Sequence, residues 1–393
     1  MIPPRHAIVA GHICLDIIPD VSTIEPGIFN ANFRPGHLVE AGSATLSTGG
    51  PVSNTGLALH RLGVPVRLSA KIGDDAFGRV IERIVNSIDP QLLAGMKFDP
   101  QATTSYTIII SPPHIDRIFL HCPSANHEFG SADVNADQLA QADLLHFGYP
   151  PLMRRIYSDN GRELVDLLCR AKASGLTTSL DMCYPDPHSE AGRLDWVAFC
   201  RSVLPHVDVF APSLEELLYM LRRSTLEDLS ARGSVVDQAT PELLRDISTA
   251  LIEMGAKIVL IKLGARGAYL RTSDVKAIDQ LGRAAPTDRA AWADRELWAP
   301  CFDVEVIGTT GSGDATIAGF LSALLRDASP AAAMTMAVAV GACNVEAPDA
   351  LSGLRSWEET RQRIAQGWAR LPVQIAAPGW IYDARCDLWR HDV

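Results

Sequence analysis

No two cysteines in this chain stand two residues apart. The eight cysteines occur singly at positions 14, 122, 169, 183, 200, 301, 343 and 386. That excludes a Cys-x-x-Cys redox or zinc motif, and a chain of 393 residues needs no disulfide staples. Reduced thiols and a cytoplasmic location are the expectation. No apolar run reaches the roughly 18 residues that would span a membrane, and Met1-Ile2-Pro3-Pro4-Arg5-His6 lacks the form of a signal peptide. Positive charge is in deficit: 35 Lys+Arg face 46 Asp+Glu, a net charge of −11. This argues against nucleic-acid and membrane-surface partners but leaves room for a local anion site. None of the eleven histidines falls in a His-x-x-x-His or Glu-assisted pattern, which argues against zinc. There is no Gly-x-Ser-x-Gly elbow and no Gly-x-Gly-x-x-Gly after the first strand-like run, so a hydrolase elbow and a classical dinucleotide fold are disfavoured. No fixed-period repeat occurs.

What is present is an ordinary globular composition, 47% hydrophobic and 21% charged. Residues 7–14 read as a buried strand, 52–62 as a helix, 64–72 as a strand and 76–88 as an amphipathic helix. Two strands, 103–110 and 117–121, are joined by a Pro-Pro turn. From about 140, strands at 144–147, 177–181, 207–210 and 257–263 alternate with helices at 156–173, 191–204, 213–221 and 241–254, and 268–271 reads as a return strand. Such alternation predicts a mostly parallel sheet covered on both faces. The segments 224–240 and 282–299 read as surface insertions. The segments 17–50 and 100–126 fit the sheet poorly and together suit a small β lid.

The richest stretch is Gly308-Thr309-Thr310-Gly311-Ser312-Gly313-Asp314, running into the apolar helix 315–325. A small-residue loop opening a helix points N–H groups outward, and the helix dipole adds about half a positive charge. Two glycines separated by four residues match the start of a P-loop, but Asp314 stands where a P-loop has lysine. A carboxylate beside a bound phosphate suits general-base work on an attacking hydroxyl. Gly49-Gly50-Pro51 opens another helix and puts Asn54 on its first turn, where a helix start alone would account for it. Asp16 and Asp181 each follow a strand, where open α/β sheets bind ligands and where turn-forming aspartates are also common. Glu215 and Glu216 follow a candidate N-cap, Ser213, which explains one acidic residue; holding Mg2+ through water is a second role open to the pair.

Taken together, these motifs resemble those of the ribokinase-like, or PfkB, carbohydrate kinases. Gly49-Gly50…Asn54…Gly63…Gly73 is similar to the family's first signature, and Thr309 to Gly319 to its second. The resemblance runs from Val9 to about Gly353. It implies a three-layer α/β/α sandwich with a mostly parallel sheet plus a small β-sheet lid, as one kinase domain over 1–370 with a C-terminal extension at 371–393. It implies ATP-dependent phosphorylation of a sugar hydroxyl with Mg2+, and Asp314 as base beside an anion hole of Gly311, Ser312 and Gly313. Substrate binding would fall to Asp16, Gly49, Gly50 and Asn54, with Arg117, His121 and Asn126 of the lid nearby. Lys262, Gly264, Gly267, Thr310 and Asn344 would border the nucleotide, and Glu216 the metal. The lid often makes a dimer contact in this family. Gly308 replaces a usual aspartate that helps bind a potassium-type cation, so use of a monovalent cation stays open. Ser213 replaces the asparagine of an Asn-x-x-Glu motif. A nucleoside kinase and a catalytically silent sugar-binding regulator are the alternatives on this fold.

Overall fold

The computed structural model describes residues 4–24, 27, 33–112 and 118–391. Arg117, part of the lid segments and half of the Pro-Pro turn lie outside the described residues. Strands are β1 (Ala7–Gly11), β2 (Cys14–Pro19), β3 (Ala44–Gly49), β4 (Val66–Ser69), β5 (Lys71–Gly73), β6 (Lys97–Asp99), β7 (Tyr106–Ile110) and β8 (Ile118–Cys122). They continue with β9 (Leu144–Gly148), β10 (Thr177–Asp181), β11 (Val209–Phe210), β12 (Ile258–Lys262), β13 (Ala268–Thr272), β14 (Glu296–Ala299), β15 (Trp380–Asp383) and β16 (Leu388–His391).

Ten strands form one sheet in the order β15-β16-β14-β13-β12-β11-β10-β9-β1-β4. From β4 to β12 every pairing is parallel, and beyond β12 every pairing is antiparallel. β1, β9 and β10 are buried along their whole length, as a sheet covered on both faces requires. Alternate residues of β1 feed two separate cores. Ala7 and Val9 pack with the helices Pro51–Arg61, Ser312–Leu325 and Pro330–Val345 on one face. Ile8 and Ala10 pack with Arg154–Ala173, Trp196–Val203, Leu214–Leu221 and Pro241–Glu253 on the other.

A second sheet, β3-β2-β7-β8, stands beside the first. It joins the antiparallel pairs β2–β3 and β7–β8 through a parallel β2–β7 seam. The run read as one strand over 64–72 is two: β4 belongs to the large sheet and β5 leaves it to pair with β6. The segment 282–299, expected to be a surface insertion, carries β14 and the fully buried Trp292 and Trp298. The strand has only three apolar residues in a row before a proline, Leu297-Trp298-Ala299, too few to stand out among the surrounding charges. In 224–240 the chain forms the helix Arg223–Ser230 and a short 3-10 turn. Residues 380–391 form a hairpin that extends the large sheet, with Leu297 opposite Arg390 and Trp298 opposite Trp389.

Candidate active site

The carboxyl ends of the parallel strands converge on one crevice. Gly11, Gly148 and Asp181 end β1, β9 and β10 and lie side by side in register. Lys262 ends β12 two strands away. Ligands of open α/β sheets bind outside such strand ends.

The Ser312–Leu325 helix points its N-terminus at this crevice. Gly311 caps it at φ 74°, a left-handed conformation that a side chain would strain. Asp314 follows on the first turn and is 2% exposed. Three donors converge on its carboxylate. Asn54 Nδ2 donates to Oδ2 at 3.0 Å, Thr55 Oγ1 to Oδ1 at 3.1 Å, and the Tyr149 hydroxyl to Oδ2 at 3.1 Å. Burial pushes the Asp314 carboxyl above its usual range, and the Asn54, Thr55 and Tyr149 hydrogen bonds and the Lys262 charge pull partly back. Tyr149 reaches this position from a backbone at φ 63°.

Lys262 bridges to Asp181, with Nζ 2.7 Å from Oδ1. Burial alone would lower this lysine, but the carboxylates of Asp181, Glu216 and Asp314 outweigh it and hold it above its ordinary value. It is therefore a fixed, charged ammonium beside the helix N-terminus, 3.4 Å from where a Cβ on Gly313 would sit. Glu216 forms a reciprocal cap with Ser213 at the start of Leu214–Leu221, and burial raises its carboxyl. Several polar atoms near the crevice are buried without a partner: Asn54 Oδ1, Asp181 Oδ2 and His12 Nδ1. Such atoms carry an uncompensated desolvation cost that a bound ligand can relieve.

One cavity opens here, and a second lies beside the lid, with none of Asp16, Asn54 and Asp314 among its lining residues. The first, of about 340 Å³, is lined by Lys262, Gly264, Gly267, Ser312 and Gly313 at one end and by Val304, Val338, Ala342 and Val345 at the other. Its charged, amide-rich end suits phosphates and its apolar end suits a heterocycle. The other, of about 740 Å³, lies between lid and body and is bordered by Tyr106, Phe119, His121, Arg154 and Tyr157.

The pfkB family carbohydrate kinase model matches residues 5–357. The chain belongs to this family. Fructokinase-2 of Oryza sativa subsp. japonica is 23% identical over 336 residues, covering 83% of this chain and 82% of the rice protein. The Arabidopsis thaliana ribokinase complexed with ribose and ATP superposes with a TM-score of 0.67 at 15% identity, over 91% of this chain and 98% of that one. The fructokinase with bound ATP from Xylella fastidiosa gives a TM-score of 0.67 at 17% identity, over 92% and 98%. The ribokinase-like sandwich with its small extra sheet is thus the fold of this family member.

Most residues singled out in the sequence come together. Gly49 is opposite Cys14 across the β2–β3 pair, and a Cβ there would strike the Asp16 carboxylate. Gly50, at φ 86°, lets the chain turn against His12. Burial raises Asp16 to about 6. Asn54 spends its amide nitrogen on Asp314 and leaves its carbonyl oxygen toward the crevice unpaired. Thr309 rather than Thr310 lines the smaller cavity. Asn344 is fully buried and donates to the Ala350 carbonyl, so the cavity wall there is Ala342 and Val345. Asn126 ties the lid to the body through both Ile13 backbone groups, which occupies its side chain. Tyr149 and Thr55 had no readable signal: a tyrosine before two prolines and a threonine inside a helix are common. No helix among the described residues is long and apolar enough to cross a membrane.

Proposed function

We propose that this family member phosphorylates a sugar hydroxyl at the expense of ATP, with Asp314 as the base. The observation that carries the reading is the carboxylate of Asp314, buried, held by three donors and standing on the first turn of a helix whose N-terminus faces a lysine-bordered cavity. ATP bound in that cavity would supply the transferable phosphoryl group. The donor set fits it: Lys262 and the N–H groups of Gly311, Ser312 and Gly313 offer positive charge to phosphate oxygens, and Gly264, with open space where a Cβ would stand, leaves room for close approach, while Gly267 is required by the Ala299 carbonyl packed against it.

Asp314 would accept the proton of the acceptor hydroxyl as the hydroxyl oxygen bonds to the γ-phosphorus and the bond from that phosphorus to the ADP oxygen breaks, ADP being the leaving group. A carboxyl held above its ordinary range is a better base than a solvated one. Asn54, Thr55 and Tyr149 fix the carboxylate so that no reorganisation is needed. Asp16 and the free carbonyl of Asn54 present acceptors to sugar hydroxyls. The lid sheet screens the crevice from water, which would otherwise compete as acceptor. Glu216 is the candidate for holding Mg2+ through water; its half-buried carboxylate feels the charges of Lys262 and Asp314.

A nucleoside acceptor is the second reading. The roughly 740 Å³ lid–body cavity with Tyr106, Phe119 and Tyr157 on its walls favours it, being roomy and aromatic. ADP release measured over sugars, sugar phosphates and nucleosides separates the two, and a protein that binds a sugar yet releases no ADP with any of them would be the silent regulator. The lid also exposes Leu46, Ile118 and Leu120, at 46%, 37% and 53%. That apolar face supports a homodimer through the lid, which the mass of the protein in solution tests; a monomer at all concentrations rules it out.

A further inference from the structure

The spacing of the histidines in the sequence argues against a transition-metal site, yet the fold assembles candidate ligands from distant segments. His12 follows β1, Cys14 opens β2 and His121 lies on β8 of the lid. One ligand atom from each lies within 4.8 Å of the other two. The Nε2 atoms of His12 and His121 are 3.4 Å apart. Two nitrogens each about 2.05 Å from a tetrahedral zinc ion are separated by about 3.3 Å. The two rings therefore already have the spacing of neighbouring zinc ligands.

We propose that His12, Cys14 and His121 form a binding site for one tetrahedral transition-metal ion of the Zn2+ class, which ties lid strand β8 to the end of β1. Two imidazoles and a thiolate select zinc-like ions and reject Mg2+, so this site is chemically separate from any Mg2+ of phosphoryl transfer. Thr107 orients both flanking ligands: its Oγ1 lies 3.0 Å from Nδ1 of His121 and 3.4 Å from Sγ of Cys14. A hydrogen-bonded outer shell of this kind is what metal-bound imidazoles require. His12 is 2% exposed; its Nδ1 is unpartnered and its Nε2 shares a hydrogen bond with Nε2 of His121, which a metal ion between the two rings would replace. The fourth coordination position opens beside Asp16, whose Oδ1 is 3.3 Å from the Cys14 sulfur. Binding replaces the S–H bond of Cys14 by a sulfur–metal bond and releases that proton to solvent. Because body and lid each supply ligands, an occupied site holds the lid down next to Asp16. Resting on the kinase reading above, this makes Zn2+ an inhibitor competitive with the sugar.

The test uses the full chain, stripped of metal and carrying Cys169→Ala, because Cys169 sits 3.4 Å from Nδ1 of His206 and could bind metal by itself. Zn2+ is titrated against a chromophoric chelator, and Co2+ is followed by absorption. One tight equivalent is expected, with a thiolate-to-Co2+ charge-transfer band and the intense visible bands of tetrahedral Co2+. His121→Asn should weaken Zn2+ binding by on the order of 100-fold. Cys14→Ser should abolish the charge-transfer band. Melting curves establish that both variants fold; His121→Asn, on a lid hairpin, keeps the test open if Cys14→Ser does not. Unchanged stoichiometry and affinity in His121→Asn, or a Co2+ spectrum without the thiolate band in the parent protein, overturns the site. These readouts do not depend on kinase activity. If the site binds metal but one equivalent of Zn2+ leaves the sugar KM unchanged, the inhibitory role alone is overturned.

Discussion

The hydroxyl of Tyr149 donates to Oδ2 of Asp314 across 3.1 Å, from a backbone held in the left-handed region at φ 63°. Strained non-glycine residues of this kind persist only where the surrounding structure fixes them, and they concentrate at functional sites. The bond favours the ionised carboxylate. Tyr149→Phe should therefore move the acid limb of kcat/KM to higher pH while the limb remains a single ionisation. The expected loss of kcat near neutral pH is about tenfold, in line with one charge-assisted hydrogen bond. A pH–rate profile superimposable on that of the parent protein would remove Tyr149 from the catalytic arrangement.

Asp314→Asn separates chemistry from folding. Burial holds the folded-state carboxyl above its unfolded value. The stability this contributes is fully present below the ordinary carboxylate range and is lost as pH rises through the raised folded value. At neutral pH the ionised side chain therefore costs stability. The substituted amide can keep its oxygen toward Asn54 and Tyr149 and turn its NH2 toward Thr55 Oγ1, which can accept. The variant should melt higher than the parent at neutral pH, with the gap closing toward about pH 4. Its kcat should fall by about 10²–10⁴. A folded variant with near-parental turnover would mean that another group takes the proton.

Glu216 has two roles to separate, helix cap and metal residue. Glu216→Gln keeps an oxygen for the Ser213 N–H and so should preserve the cap. Because burial raises the Glu216 carboxyl as it does that of Asp314, the melting temperature of this variant at neutral pH should be no lower than that of the parent protein. The Mg2+ concentration needed for half-maximal rate should rise by about tenfold if the carboxylate holds the ion. Ser213→Ala provides the opposite signature: it removes the hydroxyl that accepts from the Glu216 N–H, costing about 1 kcal/mol of stability. Its Mg2+ dependence should be little changed. A Mg2+ requirement that is the same in Glu216→Gln and the parent would leave only the cap.

How much of this was legible beforehand depends on the distance over which each signal acts. The parallel sheet could be read because β1, β9 and β12 are apolar runs bounded by turns that report their own burial, while the polar β10, Thr177-Thr178-Ser179-Leu180-Asp181, was placed by its position between two helices. Asp314 and its glycines could be read because loop, cap and helix are contiguous. Thr55 and Tyr149 could not, because their meaning lies in one hydrogen bond each to a residue 259 and 165 positions away. β14 was hidden for a different reason: its four residues gain their burial from β13 and β16, not from their own pattern. The cluster of His12, Cys14 and His121 combines both difficulties, since a lid hairpin brings in the third member.

Lys262 and Asp181 supply the last prediction. Both are buried, with side chains 12% and 0% exposed, and Nζ lies 2.7 Å from Oδ1. Lys262→Met removes the positive end and strands a carboxylate in the interior, which should cost about 3–5 kcal/mol of stability. Activity loss in that single variant would be ambiguous, because a partly unfolded protein is also inactive. The double variant Lys262→Met with Asp181→Asn resolves it. With no charge left unpaired, most of the lost stability should return, since well-packed neutral replacements of buried pairs are often close to neutral in energy. If Lys262 serves the transferring phosphate, kcat should stay low in the double variant while the melting temperature recovers. Recovery of both together would assign the lysine to folding and leave the phosphate to the backbone N–H groups of Gly311, Ser312 and Gly313.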